Sequence, residues 1–134
     1  MPARRFLDTN VLVYAFAAND PRSARAEALI VEGGVIGVQV LNEFTNVTQR
    51  QLRWDWEQIE ASLAVIEELL GGARPLTNAL QTQAVVLARD FKLAFYDALI
   101  VAAATDAGCE VLFSEDLQDG QKFGALTVEN PFRR

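Results

Sequence analysis

Arg5-Phe6-Leu7-Asp8-Thr9-Asn10-Val11-Leu12 is the stretch whose reading decides the fold. A short apolar run ends on an acid, and three polar residues then lead into a second apolar run. Residues 4–8 predict a first strand, and Asn10–Ala18 a short helix packed behind it. Working outward, Asp20-Pro21 predicts a helix start, with an N-cap acid and proline at the first helical position. That helix runs to about Glu32, where Gly33-Gly34 stops it. Val35–Val38 predicts a second strand. A helix over Val40–Arg53 follows, with Val40, Leu41, Phe44 and Val47 on one face. Asp55 caps a further helix with apolar positions Ile59, Leu63, Ile66 and Leu70, ended by Gly71-Gly72. Arg74-Pro75-Leu76 is a short extended piece. Thr77 or Asn78 begins the helix containing Leu80, Ala84, Val85, Leu87 and Ala88. A helix over Tyr96–Ala107 ends at Gly108, Glu110–Phe113 predicts a strand, and Ala125–Val128 a last one.

Strands separated by helices imply an α/β fold, a three-layer α/β/α sandwich whose central sheet is mainly parallel and covered on both faces. In such sheets the ligand crevice lies beyond the carboxyl ends of the strands. Asp8 and Asp116 both fall at that end of their strands. No repeat, low-complexity segment or linker interrupts the chain, so residues 1–134 are expected to form one domain.

Composition narrows the chemistry. The chain has 134 residues, 51% of them hydrophobic and 22% charged, which suits a globular fold with a real core. No apolar stretch approaches the roughly 18 residues of a membrane span, and no signal-peptide apolar region is expected, which points to the cytoplasm. Cys109 is the only cysteine, so no intrachain disulfide forms, and it reads as a small core residue. Histidine is absent. Ser-His and Cys-His nucleophilic sites are therefore excluded, as is a zinc site of the usual nitrogen and sulfur ligands. A carboxylate-only site favours hard cations, Mg²⁺ or Mn²⁺. The net charge of −6 argues against a broad basic nucleic-acid surface. It leaves open an enzyme whose bound metal reverses the local sign.

Four acids stand beside predicted core elements. Asp8 follows the first strand, where it also reads as a helix cap. Glu43 lies at the edge of an apolar helical stripe, where a solvated position is the alternative. Asp97 opens a helix that is apolar on nearly every side and is expected to be buried, with the helix dipole as the competing reason for an acid there. Asp116, like Asp119, reads equally as a turn residue. An unpaired buried carboxylate costs several kcal/mol, so four of one sign at element ends suggest a site gathered around divalent metal. Trp54 and Trp56 read as packing or partner residues. Arg22, Arg25, Arg50, Arg53, Arg89 and Lys92 read as solvated helix faces, a minority of them available to line a phosphate path.

Together, Phe6-Leu7-Asp8-Thr9-Asn10-Val11-Leu12, Asn42-Glu43-Phe44, Tyr96–Ala104 and Leu112-Phe113-Ser114-Glu115-Asp116 resemble the PIN-domain nucleases, most closely the VapC-like toxins of bacterial toxin–antitoxin pairs. The resemblance spans nearly the whole chain. It implies a parallel sheet that gathers acids at one end, binds Mg²⁺ or Mn²⁺ and cuts RNA. The family's first acid corresponds to Asp8, with Thr9 and Asn10 as supporting polar groups. The second falls on Glu43, the third on Asp97, and the fourth on Asp116 with Ser114 as its hydroxyl; Asp119 is auxiliary. By the same resemblance Asp8, Asp97 and Asp116 are metal ligands, the protein is a homodimer, and an antitoxin holds it inactive. A housekeeping RNA-processing nuclease and a non-catalytic interaction module are the alternatives. A metal-dependent phosphatase would need a second acid two residues after Asp8, where this chain has Asn10.

Overall fold

The computed structural model describes residues 3–133. Its first strand, β1 (Arg5–Leu7), is short and wholly apolar after Arg5 because both of its faces are covered, as is usual for parallel strands. It leads into α1 (Thr9–Phe16), α2 (Ser23–Glu32), α3 (Val38–Arg50), α4 (Trp56–Leu70), α5 (Asn78–Phe91) and α6 (Phe95–Asp106). β2 (Val111–Phe113), β3 (Lys122–Phe123) and β4 (Leu126–Glu129) complete the chain. The sheet order is β1-β2-β4-β3; β1, β2 and β4 run parallel and β3 is antiparallel. This is the expected α/β sandwich with a mainly parallel sheet. Among the described residues no helix is long and apolar enough to cross a membrane.

The core forms where the strands' apolar residues meet the helix stripes. Phe6, Leu7 and Leu112 are fully buried against Val11, Leu12, Leu29, Val40 and Phe44. Phe44 anchors α3, meeting Phe16 and Trp54 edge-on at ring separations of 5.9 and 6.2 Å. In α6, Ala98 through Ala104 are all buried, as expected of a helix that is apolar all round. Cys109 is buried, as expected. Asp55 and Thr77 cap α4 and α5 through their side chains, bonding the amides of Gln58 and Leu80.

Two expectations need correction, and β3 joins the sheet beyond the strands expected. Asp20-Pro21 forms a turn rather than the first turn of α2, which starts at Ser23. The Asp20 carbonyl accepts the Ser23 N–H, and its carboxylate accepts the Arg22 N–H at 2.8 Å. Residues 35–38 are not a strand. Val35 bridges Phe6 and Gly37 bridges Arg74, both parallel, and α3 has begun by Val38. Gly34 lets this segment lie against β1, since a Cβ there would meet the Leu7 side chain at 3.0 Å and the Arg5 carbonyl at 3.2 Å. Finally, β3 pairs with β4 across a two-residue turn, Gly124-Ala125, with Gly124 at φ +61°. Glycine at the first turn position suits a type II′ hairpin.

Candidate active site

Leu7 pairs with Phe113 in parallel register, so residues 8 and 114 leave the sheet together at the carboxyl ends of β1 and β2. The Asp8 N–H donates to the Phe113 carbonyl at 3.0 Å, which fixes where its side chain emerges. One carboxylate oxygen accepts the Thr9 N–H at 2.7 Å and caps α1; the other accepts the Ser114 hydroxyl at 2.7 Å. The capping reading of Asp8 therefore holds, and the same side chain lies at the carboxyl end of β1. It is only 3% exposed, and Ser114 is fully buried. Burial pushes the Asp8 carboxyl up to about 7, against the lowering pull of its bonds to Ser114 and Thr9 and with added repulsion from Asp116 and Glu43.

The other acids arrive from three further elements. Glu43, half-buried on α3, accepts the Thr9 hydroxyl at 2.7 Å and faces the Gln39 amide at 3.4 Å. Asp97 lies in the first turn of α6 and is half-buried rather than buried; Ala94 offers no side-chain cap there. Desolvation raises the Asp97 carboxyl, and the charges of Asp116 and Glu43 raise it further. Asp116, exposed in the loop after β2, accepts the Asn10 amide at 3.3 Å, and its N–H donates to the Ser114 hydroxyl oxygen at 3.2 Å. Asp8 and Asp97 thus each lie near enough to Glu43 and Asp116 to feel their charge. Among the described residues none of the four makes an ion pair.

Asp119 is engaged elsewhere. It accepts the Asn130 N–H at 2.8 Å and pairs with Arg133 at 2.9 Å, and the backbone bond first, then Arg133, holds its carboxyl below the usual range. Sequence reasoning missed a network beside Asp116. The Tyr14 hydroxyl donates to Glu115, and Arg22 bonds the Tyr14 oxygen at 2.7 Å, Glu115 at 3.1 Å and Asp20 at 2.9 Å. The Arg22 guanidinium carbon also lies 3.7 Å from the Tyr14 ring centre, close enough for a cation–π contact. Burial, then Glu115, pushes the Tyr14 phenol up to about 12. These contacts tie α1 and α2 to the loop that carries Asp116. Nothing local in the sequence signals them, because Tyr14 and Glu115 are 101 positions apart.

A family model for the PIN domain matches residues 5–119. The chain belongs to the PIN-domain family. Solved structures of similar fold cover most of the chain. VapC20 of Mycobacterium tuberculosis, a Sarcin-Ricin loop cleaving toxin, is 23% identical with a TM-score of 0.67, over 84% of this chain and 91% of that one. A chain of a toxin–antitoxin complex from Klebsiella pneumoniae is 19% identical with a TM-score of 0.72, over 97% and 99%. VapBC2 from Rickettsia felis, bound to a DNA fragment from their promoter, contributes a chain 19% identical with a TM-score of 0.68, over 94% and 97%. At these identities the likeness is one of fold. No protein of curated function matches the sequence.

Divalent metal fits the donor set of this PIN domain. The four acids present hard oxygen ligands, repel one another and find no cationic partner among the described residues. Among those residues no three or more aspartate, glutamate or cysteine side chains are gathered so that they could hold an ion together. Mg²⁺ needs no such cluster, since it commonly keeps several waters and takes one or two carboxylates.

Proposed function

We propose that this PIN domain is a metal-dependent endoribonuclease and the toxin of a toxin–antitoxin pair. The carrying observation is that four acids from separate elements lie toward one end of the sheet with no ion pair among the described residues, and that burial pushes the Asp8 carboxyl up to about 7. A structural protein has little reason to bear that electrostatic cost. The toxin role draws on the likeness to VapC20 and to chains of two toxin–antitoxin assemblies. A cognate antitoxin, a homodimer and a cytoplasmic location belong to the same reading.

In this mechanism Asp8, Asp97 and Asp116 would hold Mg²⁺ or Mn²⁺, directly or through water. When bound, the ion supplies Lewis-acid stabilisation of charge on the phosphoryl oxygens and a lowered pKa for water. Glu43 orients the attacking water. Its own orientation comes from the Thr9 hydroxyl, whose proton is committed to Glu43. The Ser114 hydroxyl is likewise committed to Asp8 and keeps that carboxylate aimed at the crevice. Asn10 steadies Asp116 through its amide. Attack by water leaves a 5′-phosphate and requires no histidine. Purified protein incubated with total cellular RNA tests the proposal: cleavage should appear in Mg²⁺ and stop in EDTA, and activity that persists in chelator would rule out metal catalysis.

A further inference from the structure

Two clefts flank Glu43. One of about 300 Å³ opens toward α1, where Asn10, Tyr14, Gln51 and the acid Asp116 line it with Asn46 and Glu43. The other, about 450 Å³, opens toward α6, where Gln39, Asn42 and the exposed Tyr96 join the same Asn46 and Glu43. Neither lining contains a lysine or arginine. Beside the acids Glu43 and Asp116, the amides and aromatic rings of these linings suit uncharged base edges and faces rather than phosphates.

Farther along α3 the chemistry changes sign. A third cleft, about 640 Å³, is lined by Gln49, Arg50, Arg53 and Trp54. Both arginines are exposed, and among the described residues neither makes an ion pair. Glu43 and Arg50 are seven residues apart on one helix, just under two turns. They therefore project from nearly the same face, about 10 Å apart along the axis, with Asn46 between them. Arg53 follows the helix end in a left-handed conformation, φ +56°. Trp54 packs edge-on against buried Phe44 and braces this end of the track. On a chain of net charge −6, two exposed arginines with no ion pair among the described residues, beside an aromatic ring, form a local attractor for phosphate.

We propose that the solvent face of α3 is the binding track for single-stranded RNA. Arg50 and Arg53 hold backbone phosphates, and Asn46, shared by the clefts on either side of Glu43, reads the base beside the scissile bond. The proposal rests on the nuclease reading and adds the polarity and specificity of its substrate site. Single strands are favoured because base edges must be splayed into the flanking clefts to be read.

The test measures binding and cleavage separately, using an unstructured RNA oligomer. Fluorescence anisotropy across a salt series compares the parent with the Arg50→Gln/Arg53→Gln double variant. Two lost phosphate contacts on a single strand should make the slope of log K against log salt shallower by about 1.4, and in cleavage the loss should fall on KM rather than kcat. Asn46→Ala should keep the parent salt slope but shift the mapped cleavage positions. An unchanged slope in the double variant, or unchanged cleavage positions in Asn46→Ala, overturns the track. RNA that binds with the expected slope change but is never cut by the parent leaves the track standing and overturns the nuclease reading. No RNA binding by the parent overturns both.

Discussion

Replacing Asp8 by asparagine removes a charge from a site only 3% exposed while keeping its shape. The amide oxygen can still accept the Thr9 N–H, and the Ser114 oxygen can accept from the new NH₂ group. In the parent, burial raises the Asp8 carboxyl from 3.8 to about 7. A carboxyl raised on folding stabilises the folded state below the unfolded value, and that contribution is lost as pH rises through the folded one. Between pH 8 and pH 5 the folded protein takes up a proton at Asp8 that the unfolded chain largely does not. Two pH units below the folded value, at about 1.4 kcal/mol each, give the metal-free parent about 3 kcal/mol of added stability at pH 5 over pH 8. Urea denaturation in EDTA at several pH values, run on parent and Asp8→Asn, measures this difference directly. The variant should lack the Asp8 part of the pH dependence and should be the more stable protein at pH 8. Mg²⁺ at pH 8 should stabilise the parent and do far less for the variant. Parallel pH profiles for the two proteins would refute the burial of an ionisable Asp8.

Asp97→Asn should retain the fold, checked by circular dichroism, while RNA cleavage in Mg²⁺ falls to background; parent-like cleavage would remove Asp97 from the site. Ser114→Ala leaves one Asp8 oxygen without its buried donor, which should cost about 1–3 kcal/mol in urea and raise the Asp8 pKa further. Phe44→Ala empties the junction between Phe16 and Trp54 and should cost about 3–5 kcal/mol. Gly34→Ala forces a Cβ to 3.0 Å from Leu7 and should cost about 1–3 kcal/mol by displacing β1, visible as a lowered melting temperature.

Local rules made much of this fold legible. Asp55 and Thr77 are side-chain caps whose effect stays within three residues, and α6 announces its burial by being apolar on every side. Whatever depends on distant partners was less visible. Residues 35–38 have the composition of a strand, yet their hydrogen bonds are divided between Arg5, Leu7 and Arg74, so only isolated bridges form. Asp97 was expected to be buried with the rest of α6, but the first turn projects from the core, with Tyr96 exposed beside it. Asp8 and Asp116 could be placed from strand order alone, because parallel sheets open their crevice at one end. Glu43 could not, because its edge position on the apolar stripe gains meaning only through Thr9, 34 residues away. The Tyr14–Arg22–Glu115 network shares that origin, whereas the Asp20-Pro21 turn is set by the adjacent Arg22 and Ser23. Arg22 draws Asp20 into a side-chain contact that no capping rule anticipates.

Calorimetric titration of Mn²⁺ into the purified protein at pH 7 tests the central claim most directly. Binding is expected with release of protons, seen as a heat that varies with the buffer, because burial raises the Asp8 carboxyl toward that pH and it must ionise to ligate. Asp8→Asn should weaken the binding and abolish most of the proton release. No Mn²⁺ binding at millimolar concentration would contradict a metal centre built from these carboxylates.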